Sequence, residues 1–111
     1  MTDDTISLAV FRDLQQTAGA SFVNELVDTF LEEAPQMLAE LRAAQAADAA
    51  ERFRRAAHSL KSNGQTFGAT QFGAMARELE LGGLVATAAP IDALDAEYAL
   101  VAAALKDLQH G

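Results

Sequence analysis

One interior histidine, His58, stands in a stretch whose residue types could support chemistry. The stretch reads AAHSLKSNGQTFGA over residues 56–69, and Lys61 follows the histidine three residues later. A neutral imidazole nitrogen is nucleophilic near pH 7, so it can attack a phosphoryl group and form a phosphohistidine. On a helix, Lys61 would lie one turn along and would offset the negative charge of that group. His58 is therefore a candidate phosphoacceptor.

Other kinds of reactive site find little support in the sequence. The chain has no cysteine, which excludes thiolate nucleophiles and cysteine metal sites, and its serines lie in no nucleophile-elbow motif. The second histidine, His110, is next to the C-terminus, so a histidine metal site would lack ligands. General acid–base catalysis needs a pocket, which the outer face of a helical bundle does not offer. The residues alone leave two interpretations of His58 open: covalent chemistry on an open surface, or a surface histidine without function, which is the more common case.

The charge of the chain is unevenly distributed. The formal net charge is −8, which argues against nucleic acid as a partner of the whole surface. Residues 52–77 nevertheless contain no acidic residue and hold five of the eight basic ones. This window indicates a contact site for an anionic group, with a solvated helix face as the alternative. Its basic residues are Arg52, Arg54, Arg55, Lys61 and Arg77.

Apolar residues at three- and four-residue steps indicate helices throughout the chain. Pro35 lies within the second helix and predicts a kink or a break. Asp48 and Glu51 form a D-x-x-E pair that predicts a capping box at the start of the third helix, and Thr70 is a favourable N-cap for the fourth. Pro90 suits the first turn of the fifth. The five predicted helices cover residues 6–18, 20–45, 48–67, 70–82 and 90–109.

This pattern predicts an all-α fold. No segment shows the period-2 alternation of a strand, and short connections between amphipathic helices favour antiparallel neighbours. We expect one domain over residues 1–111, an antiparallel up-down four-helix bundle with the short N-terminal helix capping one end. Since one chain supplies all four bundle helices, we expect a monomer.

Nothing in the sequence indicates a membrane segment or export. No apolar run approaches the roughly 20 residues that a bilayer span needs. The first ten residues, MTDDTISLAV, hold two acidic residues and no basic n-region, so they do not form a secretory signal. Together with the absence of cysteine, this favours a cytoplasmic protein. The starting methionine suggests a stand-alone chain, with a fragment of a larger protein as the alternative.

Helical geometry predicts that His58 lies on the outer face of the third helix. At about 100° per residue, His58 lies roughly 160° from Leu60 and Lys61 lies roughly 100° from it. Gly64 falls within the core stripe, which predicts a close-packing point, and Gly68 predicts the end of the helix. The core stripe consists of Phe53, Ala56, Ala57, Leu60, Gly64 and Phe67.

The residues around His58 resemble a known family signature. HSLKSNG at residues 58–64, followed by FGA at residues 67–69, resembles the motif of the histidine-containing phosphotransfer (HPt) domains of multistep phosphorelays. Two further segments are similar to that family, VDTFLEEAPQMLAELRAA in the second helix and ELE at residues 78–80. The resemblance covers nearly the whole chain.

The resemblance implies roles for individual residues. His58 would be the phosphoacceptor, and Lys61 would be the lysine that screens the phosphoryl group. Glu80 aligns with the glutamine or glutamate that hydrogen-bonds the other imidazole nitrogen and orients the ring. Ser62 occupies the small position that lets a receiver domain approach, where family members often have glycine, so the fit to a partner would differ slightly. The surface that would contact the receiver comprises Arg54, Arg55, Ser59, Ser62 and Gln65.

The resemblance also implies a reaction and its partners. A phosphoaspartyl receiver domain, as in a hybrid sensor histidine kinase, would donate its phosphoryl group to His58, and the receiver of a response regulator would take it away. The acidic active site of a receiver would fit the basic rim. Mg²⁺ would be held by the receiver, and this chain would need no cofactor of its own. Because it has no nucleotide-binding motif, we expect it to have no kinase activity.

Two other functions stay open at this point. The first is a helical adaptor that binds receiver domains without passing phosphate, although the presence of His58 and Lys61 argues against it. The second is a purely structural bundle, in which the clustering of basic residues would be accidental.

Overall fold

The structure, a computed structural model, describes residues 5–110, so the acidic start of the chain at residues 1–4 lies outside it. All regular secondary structure within the described range is helical, which confirms the predicted all-α class. No described helix is both long and apolar enough to cross a membrane. The five helices are α1 (Leu8–Ala18), α2 (Ala20–Ala46), α3 (Ala50–Phe67), α4 (Thr70–Gly82) and α5 (Ala89–His110).

Helices α2 to α5 form a closed ring of contacts. α3 packs against α2 and α4, and α5 packs against the same two helices. α1 packs on the outside of this ring, against α2 and α3. The connection between α3 and α4 is so short that the two helices have to lie side by side.

One aromatic cluster ties the ring together, with one residue from each helix. The ring centroid of Phe30 on α2 lies 5.4 Å from that of Phe67 on α3, 6.1 Å from that of Phe72 on α4 and 5.8 Å from that of Tyr98 on α5. Tilted aromatic pairs at such separations attract each other by about 0.5–1.5 kcal/mol beyond the effect of the area that they bury. The cluster therefore fixes the four helices against one another at a single point of the core.

α3 and α4 approach each other closely at Gly64, as the sequence predicts. A Cβ atom on Gly64 would lie 3.0 Å from Cδ2 of Phe72 and 3.1 Å from the backbone nitrogen of Gly73, so a side chain there would require a shift of one helix. Four residues later, Gly68 has a φ of 80°, in the left-handed region that favours glycine, and it ends α3 where predicted. These two glycines determine how near α4 lies to α3 and where the chain turns into it.

The predicted capping box at Asp48 is wrong. α3 begins at Ala50, its N-cap is Ala49, and no side chain caps it. Asp48 has a φ of 56°, because it closes the turn that follows α2. A residue in this left-handed conformation cannot take the extended conformation of an N-cap. The carboxylate of Glu51 consequently pairs with Arg54 instead of with the start of the helix.

The starts of α1 and α4 also differ from the predicted ones. Thr70 is the first residue of α4 and not its N-cap, and its hydroxyl donates to the carbonyl of Gly68. The turn at Gly68 leaves Ala69 at the cap position, where no side-chain cap is available. α1 begins at Leu8, later than predicted, because the hydroxyl of Ser7 caps it.

Pro35 does not break α2, so of the predicted kink or break the break is absent. Proline has no N–H, so the carbonyl of Leu31, four residues before it, loses its usual helical partner. The hydroxyl of Tyr98 on α5 donates to that carbonyl at 3.3 Å. Burial raises the pKa of the Tyr98 phenol, which keeps the proton on the donor. α5 thus supplies the hydrogen bond that the proline removes.

Replacement of Tyr98 by phenylalanine tests this contact. Without the hydroxyl, the carbonyl of Leu31 lacks a partner, so we expect the free energy of unfolding in urea to fall by roughly 1 kcal/mol. The matched control is the same substitution in a Pro35→Ala background, where the restored N–H takes the carbonyl and the loss should shrink. An equal loss in both backgrounds would contradict the assignment.

Candidate functional site

His58 lies in the middle of α3, on the face that points away from the core. Its side chain is 53% exposed, whereas Ala57 and Leu60 beside it are fully buried. This confirms the exposed position that the helical geometry predicted. An imidazole in this place is open to the surface of another protein.

Glu80 on α4 contacts the imidazole of His58 across the interface between the two helices. Nδ1 of His58 lies 2.6 Å from Oε2 of Glu80. An ionised carboxylate can only accept a hydrogen bond, so Nδ1 carries the proton and donates it. In the neutral ring, Nε2 then keeps the lone pair that a nucleophile needs.

The same carboxylate also holds Lys61. Nζ of Lys61 lies 2.9 Å from Oε1 of Glu80, and the two side chains are only 19% and 12% exposed. The contact is an ion pair without the directed geometry of a hydrogen bond. One carboxylate therefore bridges the histidine and the lysine, with a separate oxygen atom for each.

Glu80 is kept ionised by these two neighbours. The ammonium group of Lys61 contributes most to lowering the pKa of the Glu80 carboxyl below its ordinary value. The hydrogen bond from His58 lowers this pKa further, against the opposite effect of burial. A negative charge therefore lies between the imidazole and the ammonium group.

The antiparallel packing of α3 and α4 explains why Glu80 reaches this point. The two helices are joined by a tight turn, and Gly64 meets Gly73 close to that turn. About two helical turns farther along α4, on the same face of the helix, Glu80 meets His58. The close approach at the glycines is therefore what allows a carboxylate on one helix to bond an imidazole on the other.

The five residues predicted to contact a partner all lie on the exposed surface of α3. They belong to the same stretch of helix as His58, on both sides of it, so they surround the imidazole. Their role in binding stays a prediction. These residues are Arg54, Arg55, Ser59, Ser62 and Gln65.

The acid-free window of the sequence does not form a bare basic surface in the fold. Arg52 makes a two-point ion pair with Glu40 of α2, with both N···O distances at 2.9 Å. Arg54 pairs with Glu51, one turn before it. With the lysine pair described above, three of the five basic residues in this window have a carboxylate partner among residues 5–110. The sequence of residues 52–77 does not show this pairing, because all three carboxylates lie outside that window.

An open depression lies beside His58, and the sequence does not indicate it. Its volume is about 320 Å³, and Glu33 and Met37 form its wall on the α2 side. Their four-residue spacing indicates that they share one face of α2, but no local pattern indicates that this face lies next to the histidine. On the α3 side the depression is lined by His58, Ser59, Ser62 and Asn63.

The described part of the chain has no cluster of side chains that could form a metal site. No group of three or more histidine, cysteine, aspartate or glutamate side chains lies close enough together there to hold an ion.

Comparison with known proteins gives two matches. The model of the Hpt domain family matches residues 25–104, which include the whole His58, Lys61 and Glu80 cluster. The crystal structure of histidine-containing phosphotransfer protein B (HptB) from Pseudomonas aeruginosa PAO1 is similar with a TM-score of 0.89 and 26% sequence identity. The alignment covers 98% of this chain and 97% of that one. No curated protein matches the sequence.

The lowered pKa of Glu80 predicts a dependence of stability on pH. A carboxyl whose pKa is lower in the folded state stabilises the fold above its unfolded pKa, and this contribution is lost as the pH falls through the folded pKa. Because glutamine does not titrate, we expect the free energy of unfolding of Glu80→Gln to fall less between about pH 6 and pH 3 than that of the wild type.

Urea denaturation at each pH measures this difference. Glu78→Gln is the matched control, since it removes the same charge from an exposed position of α4. Parallel pH profiles for the wild type and Glu80→Gln would show that the Glu80 carboxylate is not held by its neighbours.

Proposed function

The chain belongs to the Hpt domain family, and on this premise we propose that it is a phosphorelay intermediate with His58 as the phosphoacceptor. One observation carries the proposal. The exposed imidazole of His58 has its Nδ1 bonded to Glu80, which leaves Nε2 as the nucleophile. The similarity to a histidine-containing phosphotransfer protein over nearly the full length of both chains supports the same chemistry here.

In the proposed reaction, the lone pair of Nε2 attacks the phosphorus atom of a phosphoaspartate on a receiver domain. A P–N bond forms while the P–O bond to the aspartate breaks, and the electron pair of that bond returns to the aspartate carboxylate. The proton on Nδ1 stays in the hydrogen bond to Glu80, so the phosphorylated ring is positively charged beside a carboxylate. The reverse steps pass the phosphoryl group to the aspartate of a second receiver.

The surface around His58 supports receiver domains as partners. Ser59 and Ser62 are small and exposed, so they leave room for the rim of another active site. Arg55 is exposed as well and adds positive charge that suits an acidic receiver site. We propose a receiver of a hybrid sensor histidine kinase as the donor and receivers of response regulators as acceptors. Mg²⁺ would belong to the receiver, and this chain would be a carrier without kinase activity or a cofactor of its own.

The finer architecture is part of the proposal. We propose that α2 to α5 form an antiparallel up-down four-helix bundle, capped at one end by α1, and that the chain is a cytoplasmic monomer of one domain. The closed ring of contacts supports the bundle. The backbone nitrogen of Ser7 donates to the carbonyl of Gly68 at 2.8 Å, so the start of α1 lies beside the α3–α4 turn, which supports the cap.

Phosphotransfer from receiver domains tests the proposed function. Receivers that carry radiolabelled phosphoaspartate should label the wild-type chain, and His58→Gln should abolish the labelling, because an amide lacks the nucleophilic lone pair. His110→Gln is the matched control, since it changes the other histidine of the chain and should be labelled as the wild type is. The label is measured on denaturing gels after separation of the two proteins.

Two outcomes would count against this function. Histidine-bound label on the His58→Gln variant would refute the assigned phosphoacceptor. Receivers that bind the wild-type chain stably without ever labelling it would favour a helical adaptor that passes no phosphate.

A further inference from the structure

Lys61 already has a partner in the unphosphorylated protein. Its ammonium group lies 2.9 Å from Oε1 of Glu80, and both side chains are largely shielded from solvent. Salt and water therefore weaken this ion pair less than they would weaken a pair on the open surface. The charge of a lysine so engaged is largely compensated by Glu80, so it screens a phosphoryl group on His58 fully only after it has left Glu80.

We propose that Lys61 exchanges partners when His58 is phosphorylated, moving from the carboxylate of Glu80 to the phosphoryl group. Glu80 is then a positioning residue that competes with the phosphoryl group for the lysine. This inference rests on the proposed function and adds that Glu80 regulates the stability of the phosphohistidine. The strength of the Lys61–Glu80 pair sets how strongly the lysine stabilises the phosphohistidine.

The balance of charge favours this exchange. Attack by Nε2 requires a neutral ring, and opposite a neutral ring Lys61 supplies the positive charge that Glu80 contacts. After attack by Nε2, the ring keeps its Nδ1 proton and becomes cationic, and it then compensates the carboxylate itself. The lysine is released at the step at which a new negative group appears on the other side of the same ring.

The geometry lets the lysine leave without disturbing the histidine. His58 and Lys61 contact different oxygen atoms of Glu80, Oε2 and Oε1 respectively. Lys61 is one helical turn from His58 on the same helix, so rotation about its four-carbon stem brings the ammonium group toward either side of the ring. Neither α3 nor α4 has to move.

A double-mutant cycle on the lifetime of the phosphohistidine tests the exchange. The full chain is phosphorylated with phosphoramidate, and the decay of the His58 signal is followed by ³¹P NMR at one pH. That signal is identified by its absence from His58→Gln. The four proteins compared are the wild type, Lys61→Met, Glu80→Gln and the double variant, with Glu78→Gln as the charge-matched control.

Lys61→Met shortens the lifetime of the phosphohistidine by some factor in each background. Exchange predicts that this factor is about fivefold larger in the Glu80→Gln background than in the wild type. Glutamine still accepts the hydrogen bond from Nδ1 but no longer holds the ammonium group, so the lysine is free for the phosphoryl group. Glu78→Gln should leave the effect of Lys61→Met unchanged. Circular dichroism melts test whether each variant is folded. If Lys61→Met does not fold, Lys61→Gln takes its place in the cycle.

Two other results would overturn the exchange while leaving His58 as the phosphoacceptor. An equal effect of Lys61→Met in both backgrounds would mean that the lysine acts independently of Glu80. A smaller effect in the Glu80→Gln background would mean that the carboxylate acts by direct repulsion of the phosphoryl group. A wild-type spectrum identical to that of His58→Gln would overturn the proposed function, and the exchange with it.

Discussion

The close packing of α3 against α4 at Gly64 is the constraint on which the site depends. A Cβ atom at this position would lie 3.0 Å from the ring of Phe72, and the helices would have to separate. Glu80 meets His58 about two turns away, with 2.6 Å between Oε2 and Nδ1. Because hydrogen bonds weaken with distance and angle, a separation of the helices would lengthen and weaken this contact. A glycine in the core thereby helps to position the carboxylate that contacts a surface histidine.

This packing also gives the site its electrostatic character. Glu80 is only 12% exposed, and a shielded carboxylate has to be compensated by a nearby positive charge. Lys61, 19% exposed, provides that charge, while the imidazole of His58 is 53% exposed. The result is a pair of opposite charges beside an exposed imidazole. Such an arrangement suits the proposed reaction of His58 in the active site of a receiver domain.

Features that depend on a single helix could be predicted from the sequence. The helical period alone gives the outward direction of His58 and the inward position of Gly64. Features that depend on two elements could not be predicted from the residue pattern, and the contact of Glu80 with His58 was expected only from the family resemblance. Asp48 has the residue type of an N-cap, but in the turn after α2 it takes a left-handed conformation that an N-cap does not have. Pro35 predicts a kink or a break, but α2 continues through it, and a hydroxyl on α5 replaces the missing donor. Arg52 lies in an acid-free window, but a carboxylate on α2 pairs with it.

The family resemblance distinguishes His58 from a surface histidine without function, and its contact with Glu80 adds a physical reason. The most direct test is a ³¹P–¹⁵N correlation spectrum of the ¹⁵N-labelled chain after phosphorylation by a receiver domain. We predict one phosphorus atom coupled to Nε2 of His58, with Nδ1 still protonated because Glu80 accepts its hydrogen bond. A phosphorus atom coupled to Nδ1 of His58, or to His110, would contradict the account.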